Sequence, residues 1–163
     1  MSVDAITYRN VVGNFATGVA VVTAGSREEC YAVTVNSFTS VSLDPTLLLV
    51  CLTTASRTSA EINRSRMFNI NVLCEDQEEI SRLFAKAQDD STWFDELGCT
   101  VGQLGAPLIP GCLAHIECQL DQTHAAGDHT ILIAEVHNAY IALEDKPLLF
   151  FRGKYGQIDQ SVG

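Results

Sequence analysis

Positive charge is scarce in this chain. Ten lysines and arginines stand against twenty aspartates and glutamates in 163 residues, a formal net charge of -10. A field of that sign repels nucleic acid and anionic membranes, and neither is expected as a partner. An anionic ligand would have to be held by donors concentrated at one place. Long apolar runs are missing too, since no stretch approaches the roughly 20 residues of a membrane-spanning helix. The N-terminal MSVDAITYRN has an acid where a secretory signal carries its basic region, and it lacks an apolar run. The expected compartment is the cytoplasm.

Several chemical signatures are also absent. The six cysteines, Cys30, Cys51, Cys74, Cys99, Cys112 and Cys118, form no C-x-x-C pair and meet no histidine at zinc-finger spacing. They are expected to act as small hydrophobes in a reducing compartment, with no metal site. Cys30, beside Glu28 and Glu29, is expected at the surface, where adjacent acids disfavour its thiolate. No G-x-G-x-x-G follows a strand, which leaves Rossmann-type nucleotide binding unsupported. There is no G-x-S-x-G elbow and no H-E-x-x-H pair. Repeats, low-complexity tracts and linkers are missing as well.

What remains is an ordered chain, 47% apolar and 18% charged, of a length that fits one domain over residues 1–163. Asp4 predicts the cap of a helix over 5–15, with Ile6, Val12, Phe15 and Val19 spaced for one face. Strands are predicted at 18–24, from Tyr31, at 67–73, at 112–120, at 130–142 and at 148–151. The nearly unbroken apolar run 46–53 predicts a central strand buried on both faces. Helices are predicted at 58–64 and at 77–87, the second capped by Asp76 and turning Ile80, Leu83 and Phe84 inward. Residues 88–111, with Gly98, Gly102, Gly105, Pro107 and Pro110 among them, read as a long loop of the kind that often carries function. In 112–120, Cys112, Ala114, Ile116, Cys118 and Leu120 share one face, and His115, Glu117 and Gln119 the other. A turn at 126–129 joins the last two long strands into an antiparallel hairpin. Many hairpin-linked strands and few short helices predict a mostly β chain closed, or nearly closed, into a barrel.

The segment VTVNSFTSVSLDP, Val33 to Pro45, is the most informative. It begins as an alternating strand and then sets Asn36, Ser37, Thr39, Ser40 and Ser42 along one run around Phe38. A strand that only filled a core would place Val or Ile there. Short hydroxyls and an amide suit a phosphate or the edge of a heteroaromatic ring. A Ser/Thr-rich edge strand is the other reading. Three more polar clusters lie at strand ends: Ser56-Arg57-Thr58-Ser59, Gly127-Asp128-His129, and Phe151 to Tyr155. Ser56 either caps the helix after it or shares an anion site with Arg57. Asp128 and His129 suit a turn, and Arg152 and Tyr155 suit a barrel edge.

Taken together and in order, ATGVAVVTA, TVNSFTSVSLDP, SRTSAEI, FNINVL, GDHTILIAEV and PLLFFRGKY resemble the flavin reductase-like family, with its FMN-binding split barrel. The likeness runs from about Tyr8 to Tyr155 and is strongest to the reductase components of two-component flavin-dependent monooxygenases. It implies a split β-barrel that reduces free FMN or FAD with NADH or NADPH and supplies the product to a separate oxygenase. It also implies a homodimer with the flavin near the subunit boundary. A flavin-binding protein without turnover and, less well supported, an oxidase of the pyridoxamine-phosphate type share this barrel.

Carried onto this sequence, the likeness places Asn36, Ser37 and Phe38 along the isoalloxazine. It places Thr39, Ser40 and Ser42 near the ribityl chain and phosphate, and completes the phosphate site with Ser56, Arg57 and Thr58. Thr53, Ala85 and Lys86 join the cofactor-binding set. His129, as the catalytic candidate, and Phe151, Arg152, Gly153, Lys154 and Tyr155 fall on the side from which the nicotinamide arrives.

Overall fold

Asp4 starts the first helix as its sequence position predicts: its carboxylate accepts from the N–H groups of Ile6 and Thr7, each at 3.0 Å. The computed structural model describes residues 2–88 and 90–159; Asp89, inside the predicted loop, lies outside them. Helix α1 runs Ala5–Val12 and stops short of Phe15, because the chain tightens at Gly13. The predicted inward face is not seated. No residue of α1 is buried, and Ile6 and Phe15 are 75% and 77% exposed.

The remaining elements follow in order: β1 (Thr17–Gly18), β2 (Ala20–Gly25), β3 (Cys30–Val35), β4 (Phe38–Leu43), β5 (Thr46–Thr53), α2 (Arg57–Ser65), β6 (Met67–Val72), α3 (Glu78–Phe84) and α4 (Trp93–Glu96). Then come β7 (Thr100–Val101), β8 (Pro107–Leu108), β9 (Ala114–Ala126), β10 (His129–Ile141), β11 (Leu149–Phe151) and β12 (Lys154–Gly156). Seven strands form one antiparallel sheet in the order β3-β2-β6-β9-β10-β5-β4. Its two edges, β3 and β4, are consecutive in the chain and joined only by Asn36 and Ser37. The sheet must therefore curl until its edges meet, and the seam is tied where the Cys51 N–H donates to the Ser37 carbonyl at 3.3 Å. This is a β-barrel split along β3 and β4.

The barrel interior holds Val22, Val50, Leu52, Phe68, Ile70, Leu120 and Leu132. A second core lies outside it, where Leu73, Phe84, Trp93, Phe94, Ile109 and Leu148 gather under α3, α4 and the segment after them. Cys30 belongs to this core at 2% exposure, not to the surface, and burial pushes its thiol upward in pKa. All six cysteines are free thiols.

Strand β5 is neither central nor covered twice. It is second from an edge; Leu48, Val50 and Leu52 are buried, and Leu47, Leu49 and Cys51 on the other side are half-buried. An apolar run cannot by itself distinguish a strand covered by its own chain from one whose second face stays open. On α3 Ser81 and Phe84 are buried and Ile80 packs against the second core as expected, whereas Leu83 is exposed. Gln77 stands at its N-cap in place of Asp76, accepting from the Cys74 N–H at 3.0 Å and donating to the Pro110 carbonyl at 2.8 Å.

Within the long segment after α3, residues 104–109 pack across β2, β6 and β9. Asn69 donates to the carbonyls of Ala106 and Pro107, Thr23 donates to Pro107, and the Ile109 N–H donates to Asn71 Oδ1. His115 and Glu117, on the polar face of β9, are consequently buried at 5% and 1% exposure. Glu117 accepts from the Leu104 N–H and from Asn138, each at 2.9 Å. The predicted hairpin is present: β9 and β10, thirteen residues each, pair with two register shifts, and the turn passes through Gly127 at φ +67°.

Candidate functional site: a groove along the seam

The seam of the barrel carries a groove in three compartments, each sharing lining residues with the next. The first, about 310 Å³, lies where β5 runs into α2 and faces the end of α3; Thr53, Ser56, Arg57, Thr58, Ala85 and Lys86 line it. Ser56 occupies the N-cap of α2 and accepts from the Ser59 N–H at 3.4 Å. It is therefore both the cap and a groove residue. Arg57 follows it, with its guanidinium 5.7 Å from the Tyr31 ring centroid.

The middle compartment, about 230 Å³, shares Ala85 with the first and adds Thr34, Asn36, Ser81 and Tyr155. The third, about 630 Å³, shares Asn36 and Phe150 with the middle one. It is walled by the Asn36 to Thr39 segment on one side and by Val12 and Phe15 on the other, with Gly153 at its rim. The link that joins the two sheet edges thus lies where the compartments meet. Exposed Asn36 can face a ligand, because a residue between two strands owes fewer ladder hydrogen bonds. Ser37 is an exception, since its hydroxyl donates to the Cys51 carbonyl at 2.8 Å.

Cations gather at this groove for lack of other partners. Arg27, Arg64 and Arg82 pair with Asp95, Glu61 and Glu78. Arg57 and Lys86 have no carboxylate within ion-pair distance among the described residues. Both line the first compartment, where a phosphate would find these two cations, the hydroxyls of Thr53, Ser56 and Thr58 and a helix start together.

The structure thus brings Asn36, Ser37, Phe38, Thr39, Thr53, Ser56, Arg57, Thr58, Ala85, Lys86, Gly153 and Tyr155 to one groove. It does not bring Ser40 and Ser42 there. Strand β4 leaves the seam after Thr39, and a register shift between Ser40 and Ser42 turns the strand further. Ser42 Oγ accepts from the Asp44 N–H at 3.3 Å, a turn contact. Phe151 and Lys154 are exposed on β11 and β12 and line none of the three compartments, and Arg152 faces a separate hollow beside the third.

His129 sits just past the first compartment, paired across strands with Thr53. Its Nδ1 lies 2.7 Å from Asp128 Oδ1. Asp128 is held below the usual carboxylate range, first by that hydrogen bond and the neighbouring imidazole charge, and in smaller part by Arg9. The Asp128 carbonyl also accepts from the Thr54 N–H at 3.0 Å, fixing the turn to the start of α2.

Sequence reasoning missed Ser81, Thr34, Tyr31, Phe15 and Arg9, all of which line the groove. Ser81 had a signal, since a serine among apolar residues on the inner face of a helix needs a partner. It has two: its hydroxyl is 2.8 Å from the Tyr155 hydroxyl, and its carbonyl accepts from Thr34 Oγ1 at 2.7 Å. Among the described residues no cluster of His, Cys, Asp and Glu is arranged to hold a metal ion, and no helix is long and apolar enough to cross a membrane.

Fold and groove together define a split-barrel protein with an elongated, partly cationic ligand groove at its seam. The chain belongs to the family described as flavin reductase like domain, which matches residues 12–159. Among curated relatives, the flavin-dependent monooxygenase reductase subunit HsaB of Rhodococcus jostii (strain RHA1) is 37% identical over 158 residues, covering 97% of this chain and 80% of the relative. The NADH-dependent FMN reductase SmoA of Agrobacterium fabrum is 40% identical over 154 residues, covering 94% and 86%. Among solved structures, the NADH:FAD oxidoreductase SgcE6 of Streptomyces globisporus C-1027, in complex with NAD and FAD fragments, superposes with a TM-score of 0.90 or better across its two forms, 0.91 in this complex, at 37% identity and 98% and 96% coverage.

Proposed function

We propose that this protein is an NAD(P)H-dependent flavin reductase that supplies reduced FMN or FAD to a separate monooxygenase. The observation that carries the reading is the seam groove itself. A cationic, hydroxyl-lined compartment opens through a waist at Asn36 into a larger apolar one, which suits a flavin phosphate at one end and two stacked rings beyond it. The names of relatives support the same activity: one is a reductase subunit of a flavin-dependent monooxygenase and another an NADH-dependent FMN reductase.

In this reading Ser56, Arg57, Thr58 and Lys86 hold the flavin phosphate. Asn36, Ser37 and Phe38 border the isoalloxazine, and backbone N–H groups of that link steady the negative charge that arrives on the ring. His129 and Tyr155 flank the nicotinamide. The bound flavin supplies the hydride-accepting chemistry, and the protein contributes position, dryness and charge. A cytoplasmic location fits six free thiols.

A homodimer belongs to the same proposal. Ile6, Val11 and Phe15 near the N-terminus and Leu43 and Ile141 on the barrel are at least 66% exposed, and the outer sides of Leu47, Leu49, Ile131 and Ile133 are half-buried. That much apolar surface is more than single scattered residues explain. Sedimentation equilibrium giving the mass of one chain would remove the dimer from the proposal.

The activity is tested by mixing purified protein with FMN or FAD and NADH or NADPH and following loss of reduced-nicotinamide absorbance. Flavin-dependent consumption is expected. No consumption above the protein-free control with any of the four pairs would overturn the reading.

A further inference from the structure

Ser37 closes the barrel seam by an irregular pairing. The β4–β5 ladder sets Phe38 opposite Val50 and Thr39 opposite Leu49, so its next step sets Ser37 opposite Cys51. Cys51 makes its half of that step, and its N–H donates to the Ser37 carbonyl at 3.3 Å. A regular antiparallel pair of this kind exchanges two such bonds, the second running from the Ser37 N–H to the Cys51 carbonyl. Here the Ser37 hydroxyl takes that carbonyl instead, at 2.8 Å. The Ser37 N–H is left without a hydrogen-bond partner among the described residues.

A half-buried backbone donor is costly unless water or a ligand supplies an acceptor. Ser37 is half-buried and borders the 630 Å³ compartment beside Asn36 and Phe38. Alternation along β4 adds a second donor. With Ser37 turned toward β5, the Phe38 N–H points the other way, where β4 has no neighbouring strand.

Flavin reduction creates an acceptor of matching chemistry. A hydride carries two electrons and one proton from NAD(P)H to the ring; the donor leaves as NAD(P)+, and the flavin gains one negative charge. A fixed N–H beside the ring binds that charged form more strongly than the neutral oxidised one. We propose that Ser37 is a positioning residue: its hydroxyl clamps the seam to the Cys51 carbonyl, frees its own N–H from the sheet, and presents that N–H to the flavin, where it favours the reduced form. The family likeness sets Ser37 along the ring, whereas the two distances give its side chain a task away from the ring and bring the Cys51 backbone into the site. The proposal rests on the flavin reductase reading.

Two measurements test it. Amide exchange followed by NMR reads the clamp itself. In ligand-free wild type the residue 37 amide should exchange as an open loop does. In Ser37→Ala nothing competes for the Cys51 carbonyl, so the amide should take the ladder bond and exchange at least about tenfold more slowly. Ser37→Thr keeps the hydroxyl and should behave as wild type.

The second measurement compares the Kd of oxidised FMN with that of chemically reduced FMN, under argon. Ser37→Ala should weaken reduced FMN about tenfold more than oxidised FMN, as expected for one lost hydrogen bond to a charged acceptor. That ratio lowers the two-electron midpoint potential of bound flavin by about 30 mV. If Ser37→Ala does not fold, Ser37→Cys, close in size and a weak donor, carries the same two expectations. Equal weakening of both flavin forms, the mark of a residue that only holds the seam shut, would overturn the proposal. So would a residue 37 amide already protected in ligand-free wild type. Wild type that shows the Ser37 dependence yet oxidises no NADH would overturn the reductase reading and leave the clamp standing. NADH oxidation with an unaltered Kd ratio in Ser37→Ala would overturn the clamp alone.

Discussion

The hydroxyls of Ser81 and Tyr155 lie 2.8 Å apart and join α3 to the last strand across the waist of the groove. Arg82 covers the Tyr155 ring from outside at 4.8 Å, and Phe150 meets it edge-on at 5.5 Å. The ring is thereby fixed as one wall of the middle compartment. Removing either hydroxyl, in Ser81→Ala or Tyr155→Phe, should lower stability by about 0.5–1.5 kcal/mol. Because the two act as one contact, the double variant should lose clearly less than the sum of the singles, as read from urea denaturation. Additive losses would show that the hydroxyls do not depend on each other.

Arg57 is the groove residue whose charge matters most for the phosphate. Arg57→Glu should weaken FMN binding at least about tenfold, in line with the loss of a charge-assisted hydrogen bond. Riboflavin, which lacks the phosphate, should be affected much less. Flavin fluorescence titrations of both ligands make the comparison, and equal losses would place the phosphate elsewhere.

His129 is a different kind of group. It is paired with Asp128 in a turn just beyond Thr53, close to the groove without lining it. His129→Ala should slow flavin reduction or raise the nicotinamide KM by about five- to a hundredfold, as expected for one lost positioning hydrogen bond. Flavin affinity should stay within about twofold. Stopped-flow reduction of bound flavin, with a flavin titration of the same variant, checks both halves. Unchanged reduction kinetics would make His129 a turn residue only.

Much of this architecture was legible in the chain, for reasons that can be named. The Asp4 cap, the Gly127 turn and the alternation of β9 are local signals, each complete within a few residues. The hydroxyl run after Val35 was conspicuous because it broke the pattern a packed strand requires. What the chain concealed were surfaces that only long-range packing decides. His115 and Glu117 alternate as a solvent face would, yet they are buried because a segment rich in Gly and Pro folds over them. Leu47 and Leu49 look like core, yet their side of β5 is only half covered. Ser40 and Ser42 stand in the same run as Thr39, but only the residues nearest the seam reach the groove, since each strand residue advances the chain by about 3.3 Å. Arg9 lies far from every recognised cluster in sequence and enters the site only because α1 lies beside the seam.

The burial of His115 has a consequence for stability. Its Nδ1 lies 3.0 Å from Asn71 Oδ1, so the neutral ring donates there. Burial pushes its pKa below the ordinary 6.5, and the charge of Glu117 opposes the shift. A depressed folded value favours the neutral imidazole, so this contribution is complete above the unfolded value and is lost as pH falls from there toward the folded one. Melting temperature should drop as the buffer is taken from about pH 7.5 to about pH 5.5, and His115→Gln should flatten that drop. An equally steep profile in the variant would assign the effect to other groups.

The central claim, that the seam groove is where flavin is held and reduced, is tested most directly by filling it. Ala85 is exposed and lines both the first and the middle compartments, so Ala85→Trp blocks the passage between them without disturbing a core. Anaerobic stopped-flow absorbance of flavin mixed with NADH and either protein is the measurement. Rapid bleaching with wild type and a loss of at least about tenfold with Ala85→Trp, at an unchanged melting temperature, is the predicted result, matching about 1.4 kcal/mol or more of lost binding or positioning. Equal bleaching rates with the two proteins would contradict the account.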